Sequence, residues 1–479
     1  MKNLTWQNPE QLFVAQELIN KVKSKCCGIK DINTENMKKT LLTMVAMMAT
    51  CSAVMAQNGI VEVPDAEGHG FMATTMSPNG KYIAGADALT QGGFMFDRES
   101  KQIVTFDPLD ITEGVDTDLQ IKSISNSGLA VGWNGYASTF DFATKKCTTF
   151  GEVYQYLFLG ISPSGNYIVG ARYDGGNEEG TPCIFNNGTP VDLPEPTDKF
   201  LGYASAGASA LSVSDDGIIS GYFVDDMATR PATMWTPNKD GKSFSVYPIS
   251  RRYFAPSPES ELPYSTFTCD QTTMSPNGKW LVITFEKNVD AWESVVGVAR
   301  YNLENDSVEF FTPNAEEDER FEATGSEVYG SAVSDEGTIV GFYGGAYGPR
   351  VGFMWKNGES TIQTLSTAFP GATRLADYDN GNFNTPCGIS ADGRYITGFA
   401  AVDPADADDE NAESSYVSWI LDTEDESATT AVESVAKDND KVAKVKARYS
   451  LDGMRRDGKF KGVNILRMTN GKTVKKIVK

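Results

Sequence analysis

The sequence predicts an all-β fold, a seven-bladed β-propeller with four antiparallel strands per blade, followed by a small C-terminal β module. Three observations lead to this prediction. A turn motif recurs seven times, an aromatic residue follows each copy, and a short β-prone segment precedes the first copy without a partner of its own. The stretches MSPNGKYIAGAD at Met76 and ISADGRYITGFA at Ile389 show how closely two copies agree.

Each copy of the motif places an apolar residue before Ser, then two residues rich in Pro, Asp or Asn, then Gly and an apolar run. Pro presets φ at the second turn position, Asn or Asp is tolerated at the third, and Gly accepts positive φ at the fourth. Each copy therefore predicts two strands joined as a hairpin. The seven serines, each with Gly three residues later, are Ser77, Ser125, Ser162, Ser214, Ser275, Ser334 and Ser390.

Two further columns support the alignment of the copies. A Gly follows the second predicted strand in six copies, and the fifth copy has Ile283 instead. Those glycines are Gly85, Gly132, Gly170, Gly221, Gly341 and Gly398. Further along, each copy has one aromatic residue in an apolar run, which predicts a packed layer: Phe96, Phe140, Phe185, Trp235, Tyr301, Trp355 and Trp419.

The spacing of the motif predicts the architecture. Successive serines lie 37 to 61 residues apart, enough for about four strands and their turns. Seven such sheets packed radially bury both faces of each sheet, whereas a single sheet cannot. An open solenoid or two sandwiches is the alternative. The last repeat runs out after its third strand, at Trp419, so we expect Gly59–Val63 to supply its fourth strand and close the ring.

The copies SNSGLAVGWNG, SDDGIISGYF and SDEGTIVGFYG, with segments such as VGFMWKNGE, resemble HAF-type extracellular repeats. The resemblance covers about residues 70–423 and departs in one respect, since the His that names the motif is absent from every copy. It implies a propeller in an extracellular setting and brings no catalytic residues with it.

The segment MKKTLLTMVAMMATCSAVMAQ, from Met37, predicts a secretory signal peptide, with lysines, an apolar run and small residues before Gln57. Its apolar part, Leu41–Ala56, is shorter than the roughly 20 residues that span a bilayer, so a membrane anchor is the weaker interpretation. A lipoprotein site at Cys51 is disfavoured by Thr50 before it. Residues 1–36 precede this signal, so either Met37 is the true start or they form a leader.

The last 33 or so residues resemble the C-terminal sorting domains of the type IX (Por) secretion system of Bacteroidetes. The resemblance rests on YSLDGM at Tyr449, KGVNILRM at Lys461 and the terminal NGKTVKKIVK, and a plain terminal β cap is the alternative. It implies recognition by an outer-membrane secretion machinery and display on the cell surface. The predicted organisation is an extension or leader over 1–36, a signal peptide over 37–56, the propeller over 57–423, an acidic linker over 424–445 and a sorting domain over 446–479.

Charge is distributed unevenly along the chain. The net charge is −22, and with +3 for residues 1–56 and +10 for residues 436–479 set apart, residues 57–435 carry −35. So acidic a body repels phosphate backbones and anionic lipid headgroups, and a nucleic-acid partner is not expected. No transmembrane span is predicted for the mature chain.

Few residues offer metal or nucleophile chemistry. The four cysteines after the signal, Cys147, Cys183, Cys269 and Cys387, show neither zinc-site spacing nor a disulfide framework. His69 is the only histidine, so a Ser-His-Asp mechanism would have to use it, although a polar loop residue is the plainer interpretation. No cofactor is predicted, but Ca²⁺ at Ala401–Ser414 or Asp377–Asn382 stays open, because both stretches cluster oxygen ligands.

Two functions from different classes fit these features. The first is an exported, cell-surface or secreted binding module for a glycan or peptide; the alternative is a carboxylate-dependent glycoside hydrolase or lyase on the same scaffold. We expect the ligand on the face with the more variable connections, since recognition usually lies in variable loops on a rigid scaffold. The candidate ligand-binding residues are Trp133, Arg172, Tyr173, Tyr222, Arg230, Trp292, Tyr343, Tyr347 and Arg350, with Tyr136, Phe223, Arg251, Arg252 and Tyr253 near them.

Overall fold

A computed structural model describes the chain from residue 59 onward with gaps. The described ranges are 59–65, 68–108, 118–173, 180–186, 188–195, 205–225, 230–249, 264–265, 272–288, 294–314, 327–344, 349–380, 383–402, 415–429, 445–449, 462–468 and 473–478. The chain divides into two compact units, Met1–Thr430 and Ala431–Lys479. The predicted signal peptide and leader lie outside the described residues.

The first unit contains seven antiparallel sheets in chain order, which confirms the predicted seven-bladed propeller. Blade one is β2 (Phe71–Met76), β3 (Tyr82–Asp87), β4 (Gly92–Asp97) and β5 (Gln102–Phe106). Blade two is β6 (Gln120–Ile124), β7 (Leu129–Trp133), β8 (Ala137–Asp141) and β9 (Lys146–Phe150). Blade three is β10 (Tyr156–Ile161), β11 (Tyr167–Arg172), β12 (Thr181–Asn186) and β13 (Thr189–Asp192).

The remaining blades repeat this order, with small departures. Blade four is β14 (Ser205–Val213), β15 (Ile219–Asp225), β16 (Ala232–Pro237) and β17 (Phe244–Pro248). In blade five the first position is divided between two short strands, β18 (Tyr264–Ser265) and β19 (Thr273–Met274), which both pair with β20 (Trp280–Asn288). The blade continues with β21 (Ser294–Asn302) and β22 (Ser307–Phe311). Blade six is β23 (Val328–Val333), β24 (Ile339–Tyr343), β25 (Val351–Trp355) and β26 (Gln363–Thr364). Blade seven is β27 (Asn384–Ile389), β28 (Tyr395–Val402), β29 (Ser415–Asp422) and, from the start of the chain, β1 (Ile60–Glu62).

Strand β1 closes the ring, as the sequence predicts. It pairs antiparallel with β29, with Ile60 opposite Leu421 and Glu62 opposite Trp419. The Glu62 carboxylate also accepts hydrogen bonds from Arg374 at 2.9 Å and from the Tyr378 hydroxyl at 2.6 Å. The two ends of the propeller are therefore joined by main-chain and side-chain bonds.

The recurring serine has the same role in every blade. In blade one the Ser77 hydroxyl accepts from the Tyr82 N–H at 2.9 Å and donates to Asn79 at 2.7 Å, while the Gly80 N–H bonds the Ser77 carbonyl. All seven serines are at most 2% exposed. All seven turn glycines have φ between 69° and 84°, which residues with a Cβ rarely adopt. The motif is thus a side-chain-capped turn.

The Gly that was predicted to follow the second strand lies within that strand instead, as Gly85 does in β3, and its cause is structural. A β-bulge shifts the register of the inner strand in six blades, for example between Ala73 and Thr75 in blade one. The bulge brings the Met72 carbonyl so close to Gly85 that a Cβ there would overlap it. Blade five, which has Ile283 at this position, has only the two-residue inner strand β19.

The core lies between the blades. The seven predicted aromatic residues are each at most 2% exposed, which confirms the packed layer. Blades six and seven are joined by two short helices that the sequence analysis did not predict, α1 (Leu365–Ala368) and α2 (Thr373–Asn380). A third, α3 (Glu426–Thr429), follows β29. In the described part of the chain, no helix has the length and apolar character needed to cross a membrane.

The second unit contains a three-stranded antiparallel sheet. Its strands are β30 (Val445–Tyr449), β31 (Gly462–Met468) and β32 (Thr473–Val478), in that order in the sheet. The small C-terminal β module that the sequence predicts is therefore present as a separate unit.

Candidate binding face of the propeller

The propeller has two distinct faces. The serine turns, which join the first and second strands of each blade, form what we call the turn face. The connections between second and third strands, and those that link successive blades, form the opposite side, the loop face. The two faces carry different side chains.

On the turn face, neighbouring blades are bonded to one another. The Asn79 N–H donates to the Asn126 side chain at 2.8 Å, the Ser164 N–H to Asp215 at 2.9 Å, and the Asn277 N–H to Asp335 at 2.8 Å. The residue after the turn serine alternates around the ring between Pro and Asn or Asp, with Ala391 in blade seven. These side chains hold the scaffold together.

The central channel contains a cavity of about 190 Å³, lined by the inner strands of all seven blades. Among its lining residues Lys122 is the one charged side chain and none is a carboxylate. The Thr74 hydroxyl donates to the Ile121 carbonyl of the next blade at 2.7 Å, and the Cys387 thiol to the Ala73 carbonyl at 3.1 Å. Within the described residues, the channel wall therefore does not offer the carboxylate pair that a glycosidase needs.

On the loop face of blades two and three, aromatic side chains gather. Trp133, at the end of β7, is half-buried, and its ring centroid lies 5.9 Å from that of Tyr154 with the planes 34° apart. Tyr154 is 44% exposed and belongs to the connection into blade three. We call these two side chains the aromatic shelf.

Two predicted residues lie beside the shelf. Tyr173 is half-buried, and its N–H donates to the Gln155 carbonyl at 2.8 Å, which fixes the blade-three connection against the shelf. Arg172, at the end of β11, forms a two-point ion pair with Asp192, with contacts of 2.8 and 3.2 Å. The guanidinium of Arg172 is thus held in place by a strand of its own blade.

Blade four carries a second predicted pair. The Arg230 guanidinium lies 5.5 Å from the ring centroid of Tyr222, within the range of a cation–π contact. Both side chains are partly exposed. This pair stiffens the entry into β16.

Blade six presents a stacked arginine. The Arg350 guanidinium lies 4.4 Å from the ring centroid of Phe342 and 5.0 Å from that of Phe383. The Tyr329 ring also stacks on Phe342, with the centroids 5.0 Å apart, and its hydroxyl donates to Glu327 at 3.1 Å. Burial lowers the pKa of Arg350, and burial together with the Glu327 charge raises the pKa of Tyr329. An arginine stacked in this way, beside a tyrosine held by a carboxylate, suits polar ligands with flat groups.

Other predicted residues lie elsewhere. Tyr343 is 5% exposed and packs with Val282, Val298 and Val328 between blades five and six. Phe223 is 1% exposed and packs in the blade-four core, whereas Tyr136 is half-buried in the blade-two loop. Those outside the described residues are Trp292, Tyr347, Arg251, Arg252 and Tyr253.

His69 lies on the loop face, where its Nδ1 is 2.7 Å from a carboxylate oxygen of Asp87. The His69 ring stacks on Phe71 with the centroids 5.1 Å apart, and the main-chain N–H of His69 donates to the Asp65 carboxylate at 2.8 Å. Asp87 also accepts from the Leu89 N–H, so the pair fixes the segment before β2 against the end of β3.

Metal ligation and thiol chemistry have little support in the described residues. There, no group of three or more His, Cys, Asp and Glu side chains is arranged to hold a metal. The stretch beginning at Asp377 is the last turn of α2. There Asp377 forms an ion pair with Arg374 at 3.6 Å, and the Asp379 carboxylate accepts hydrogen bonds from the Ser366 hydroxyl and the Asn384 side-chain amide. The Ala401–Ser414 stretch lies mostly outside the described residues. Cys147, Cys183 and Cys387 are free thiols.

Sequence reasoning did not find Tyr154, Tyr329 or Phe383. Tyr154 stands in a short connection between blades, and Tyr329 and Phe383 stand at or just before inner strands. The residue types gave no signal, because exposure and stacking depend on neighbouring blades. A search of every connection between blades for aromatic residues would have included Tyr154.

Together these features define a seven-bladed β-propeller with a turn face on which polar side chains bond neighbouring blades and a loop face that carries the aromatic shelf and the Arg350 stack. The sequence matches no described protein family and no curated protein. Among solved structures it is similar to the WD40 repeats of RRP9, with 11% identity and a TM-score of 0.43 over 77% of this chain and 98% of that one. It is also similar to streptogramin B lyase, with 12% identity and a TM-score of 0.39 over 75% of this chain and 96% of that one. For prolyl oligopeptidase B from Galerina marginata the values are 11% and 0.43, over 86% of this chain and 55% of that one. Such identities carry no information about ligand or activity.

Proposed function

We propose that this propeller is an exported binding module that recognises an extracellular glycan or peptide through its loop face. The observation that carries the proposal is the difference between the two faces. On the turn face, polar side chains bond neighbouring blades and Arg98 stacks on Tyr395 beside turns of one repeated form, whereas the loop face carries its aromatic and cationic side chains on connections of unequal length. Propellers with a rigid ring and variable connections serve as binding scaffolds.

The loop face has the chemistry that such recognition needs. Trp133, Tyr154 and Tyr173 offer aromatic surface around blades two and three, and Arg350 offers a stacked cation on blade six. Aromatic faces beside charged groups fit sugar rings and peptides. The glycoside hydrolase or lyase alternative has less support, because the described channel residues include no carboxylate.

Export is the second part of the proposal. It is supported by the sequence of residues 37–56, by the resemblance of the propeller to HAF-type extracellular repeats, and by the resemblance of the tail to sorting domains of type IX secretion in Bacteroidetes. The basic tail, at +10, differs from the acidic propeller and fits a separate signal. We propose that the secretion machinery recognises residues 446–479 and that the propeller reaches the cell surface or medium.

The binding proposal is tested with glycan and peptide arrays probed by the full chain. We expect Tyr173→Ala together with Arg350→Ala to abolish binding of the array hit. The matched control is Asn166→Ala with Glu336→Ala, two exposed positions on the turn face, which should bind as the parent does. If the control pair abolishes binding and the loop-face pair does not, the site is not on the loop face and the proposal fails.

The export proposal has its own test. Deleting Tyr449–Lys479 should leave the folded propeller in the periplasm, and the mature N-terminus should be Gln57. Cell fractionation and N-terminal sequencing measure the two results. Normal surface delivery of the truncated chain would contradict the sorting role, and a mature chain that begins before Gln57 would contradict the cleavage site.

A further inference from the structure

We propose that the aromatic shelf of Trp133 and Tyr154 stacks against the pyranose ring of a neutral oligosaccharide. This inference rests on the proposed binding role of the loop face and names the ligand class and the site on that face.

The exposure of Tyr154 is the first observation. Large apolar side chains in the described residues are mostly buried, and five are exposed above a third: Leu89 at 63%, Phe310 at 45%, Tyr154 at 44%, Val191 at 41% and Tyr247 at 36%. Of these, Val191, Tyr247 and Phe310 belong to the fourth strands of their blades, whereas Leu89 and Tyr154 lie in connections of the loop face. The Tyr154 ring contacts the Trp133 ring, so the two rings together present one apolar surface. A surface of this kind beside polar loops is typical of a binding site.

The backbone of Tyr154 is the second observation. Its φ is 58°, in the left-handed region, which is unfavourable for a residue with a large side chain. The conformation is held from both sides, because the Tyr154 N–H donates to the Gly135 carbonyl at 3.0 Å and the next carbonyl, of Gln155, accepts from Tyr173. Strained backbone that the surrounding structure maintains clusters at functional sites, and of the five described non-Gly residues with positive φ, Tyr154 is the one with an aromatic side chain. The turn fixes the backbone from which the phenol ring projects, and the contact with Trp133 supports the ring itself.

The chemistry of the shelf favours a sugar over a peptide. The C–H face of a pyranose packs on the negative face of an aromatic ring and asks for no hydrogen bond there. The Nε1 atom of Trp133 is buried and has no partner among the described residues, so the indole contributes apolar surface and not a donor. A peptide brings a main-chain N–H and C=O group at nearly every residue, and besides the buried indole Nε1 the shelf has a single polar group for them, the Tyr154 hydroxyl.

Charge selects a neutral sugar. The chain carries −22, and Glu152 adds an exposed carboxylate in the same turn as Tyr154, while the charge of Arg172 is balanced by its ion pair with Asp192. A carboxylate can accept hydrogen bonds from sugar hydroxyls but repels an anionic sugar. Acidic polysaccharides are therefore expected to bind more weakly than neutral ones.

Isothermal titration calorimetry of the full chain tests the proposal. The probes are cellotetraose, maltotetraose and mannotetraose as neutral sugars, tetragalacturonate as an acidic sugar, and a decapeptide of alternating Gly and Ser, which has a main-chain N–H at every residue. We expect at least one neutral tetrasaccharide to bind, and Tyr154→Ala to weaken it by at least about tenfold. Tyr154→Phe, which keeps the ring, and Leu89→Ala, an exposed apolar control on the same face, should stay within about twofold of the parent.

Several outcomes would overturn the inference. They are an absence of binding by all three neutral sugars, a preference for the acidic sugar or the peptide, and unchanged affinity in Tyr154→Ala. If a sugar binds and only the Tyr173 and Arg350 pair abolishes binding, the shelf is excluded while the loop face retains its proposed role. Circular dichroism of each variant separates loss of binding from loss of fold.

Discussion

The Ala391 N–H donates a hydrogen bond to the Pro78 carbonyl at 2.7 Å, which joins the turn of blade seven to the turn of blade one. Around the ring, the residue after the turn serine is Pro in blades one, three and five and Asn or Asp in blades two, four and six. An odd number of blades cannot alternate without a break, and the break falls at Ala391. Because Ala keeps the N–H that Pro lacks, it can make this closing bond.

Ala391→Pro therefore separates local turn preference from ring closure. Proline suits this turn position and would ordinarily stabilise by about 0.4–1 kcal/mol through the unfolded state. Here it removes the bond to Pro78, worth about 0.5–1.5 kcal/mol. The two effects together leave a net change between a loss of about 1 and a gain of about 0.5 kcal/mol in the free energy of unfolding, measured by urea denaturation. A gain of the full ~1 kcal/mol would show that the closing bond contributes little.

Ring closure by β1 can be tested at Ile60, which is 3% exposed and packs in the core of blades six and seven. Ile60→Ala should lower the free energy of unfolding by about 2–5 kcal/mol, because it leaves a cavity beside Trp419 and Leu421. Leu89→Ala, at a position 63% exposed, is the matched control and should change stability by less than about 0.5 kcal/mol. Equal effects of the two variants would mean that β1 does not close the ring.

The strain at Tyr154 predicts an order of stabilities. Tyr154→Gly and Tyr154→Ala both remove the ring, but only Gly adopts the left-handed conformation without cost. We expect the Gly variant to be more stable than the Ala variant by about 1 kcal/mol in thermal or urea unfolding. The same pair at Asn79, which is not among the residues with positive φ, should show no such advantage for Gly. An Ala variant as stable as the Gly variant would contradict the strain.

Asp379 predicts a dependence on pH. Burial raises its pKa, although Ser366, Asn384 and the Gly352 N–H donate hydrogen bonds that oppose the shift. Between the unfolded pKa of about 3.9 and the raised native value, the folded state holds more protons, so this group's contribution to stability falls as pH rises. Asp379→Asn removes that contribution. The variant should therefore gain stability relative to the parent as pH rises from about 4 toward 7.

The control for this prediction is Asp216→Asn, at an exposed carboxylate in the turn of blade four. Its stability relative to the parent should change less over the same pH range. Urea denaturation at several pH values measures both differences. A stability difference for Asp379→Asn that stays flat or falls with rising pH would contradict the raised pKa.

The free thiols predict slow alkylation of the native protein. Burial raises the pKa of Cys183 to about 12 and also raises that of Cys387. Since the thiolate is the reactive form, both cysteines should remain unmodified by iodoacetamide at pH 8 until the chain unfolds. Cys147 is half-buried and its pKa is raised least of the three, so it should react first. Mass spectrometry of peptides before and after unfolding measures the order, and rapid native labelling of Cys183 would refute it.

The sequence by itself determined the number of blades, their closure by Gly59–Val63 and the buried aromatic layer. The number of blades depends on local chemistry, and the closure follows from a last repeat that lacks its fourth strand while an unpaired strand precedes the first repeat. Each serine caps a turn within five residues of itself, as Ser77 does for Tyr82, and each turn glycine meets a φ requirement of its own position. Seven independent copies of a local rule can be counted without knowing how the blades pack.

Tertiary structure alone decided which side chains the loop face presents. Tyr343 and Arg350 lie seven residues apart in one blade, yet the first packs in the core and the second stacks between Phe342 and Phe383. Tyr154 meets Trp133 because two connections from neighbouring blades share a main-chain hydrogen bond at Gly135. Such contacts join segments whose spacing and direction are set by the twist and packing of whole sheets. A residue's type and its position in the repeat therefore fix the strand it occupies, and the packing of adjacent blades fixes whether it is buried or available to a ligand.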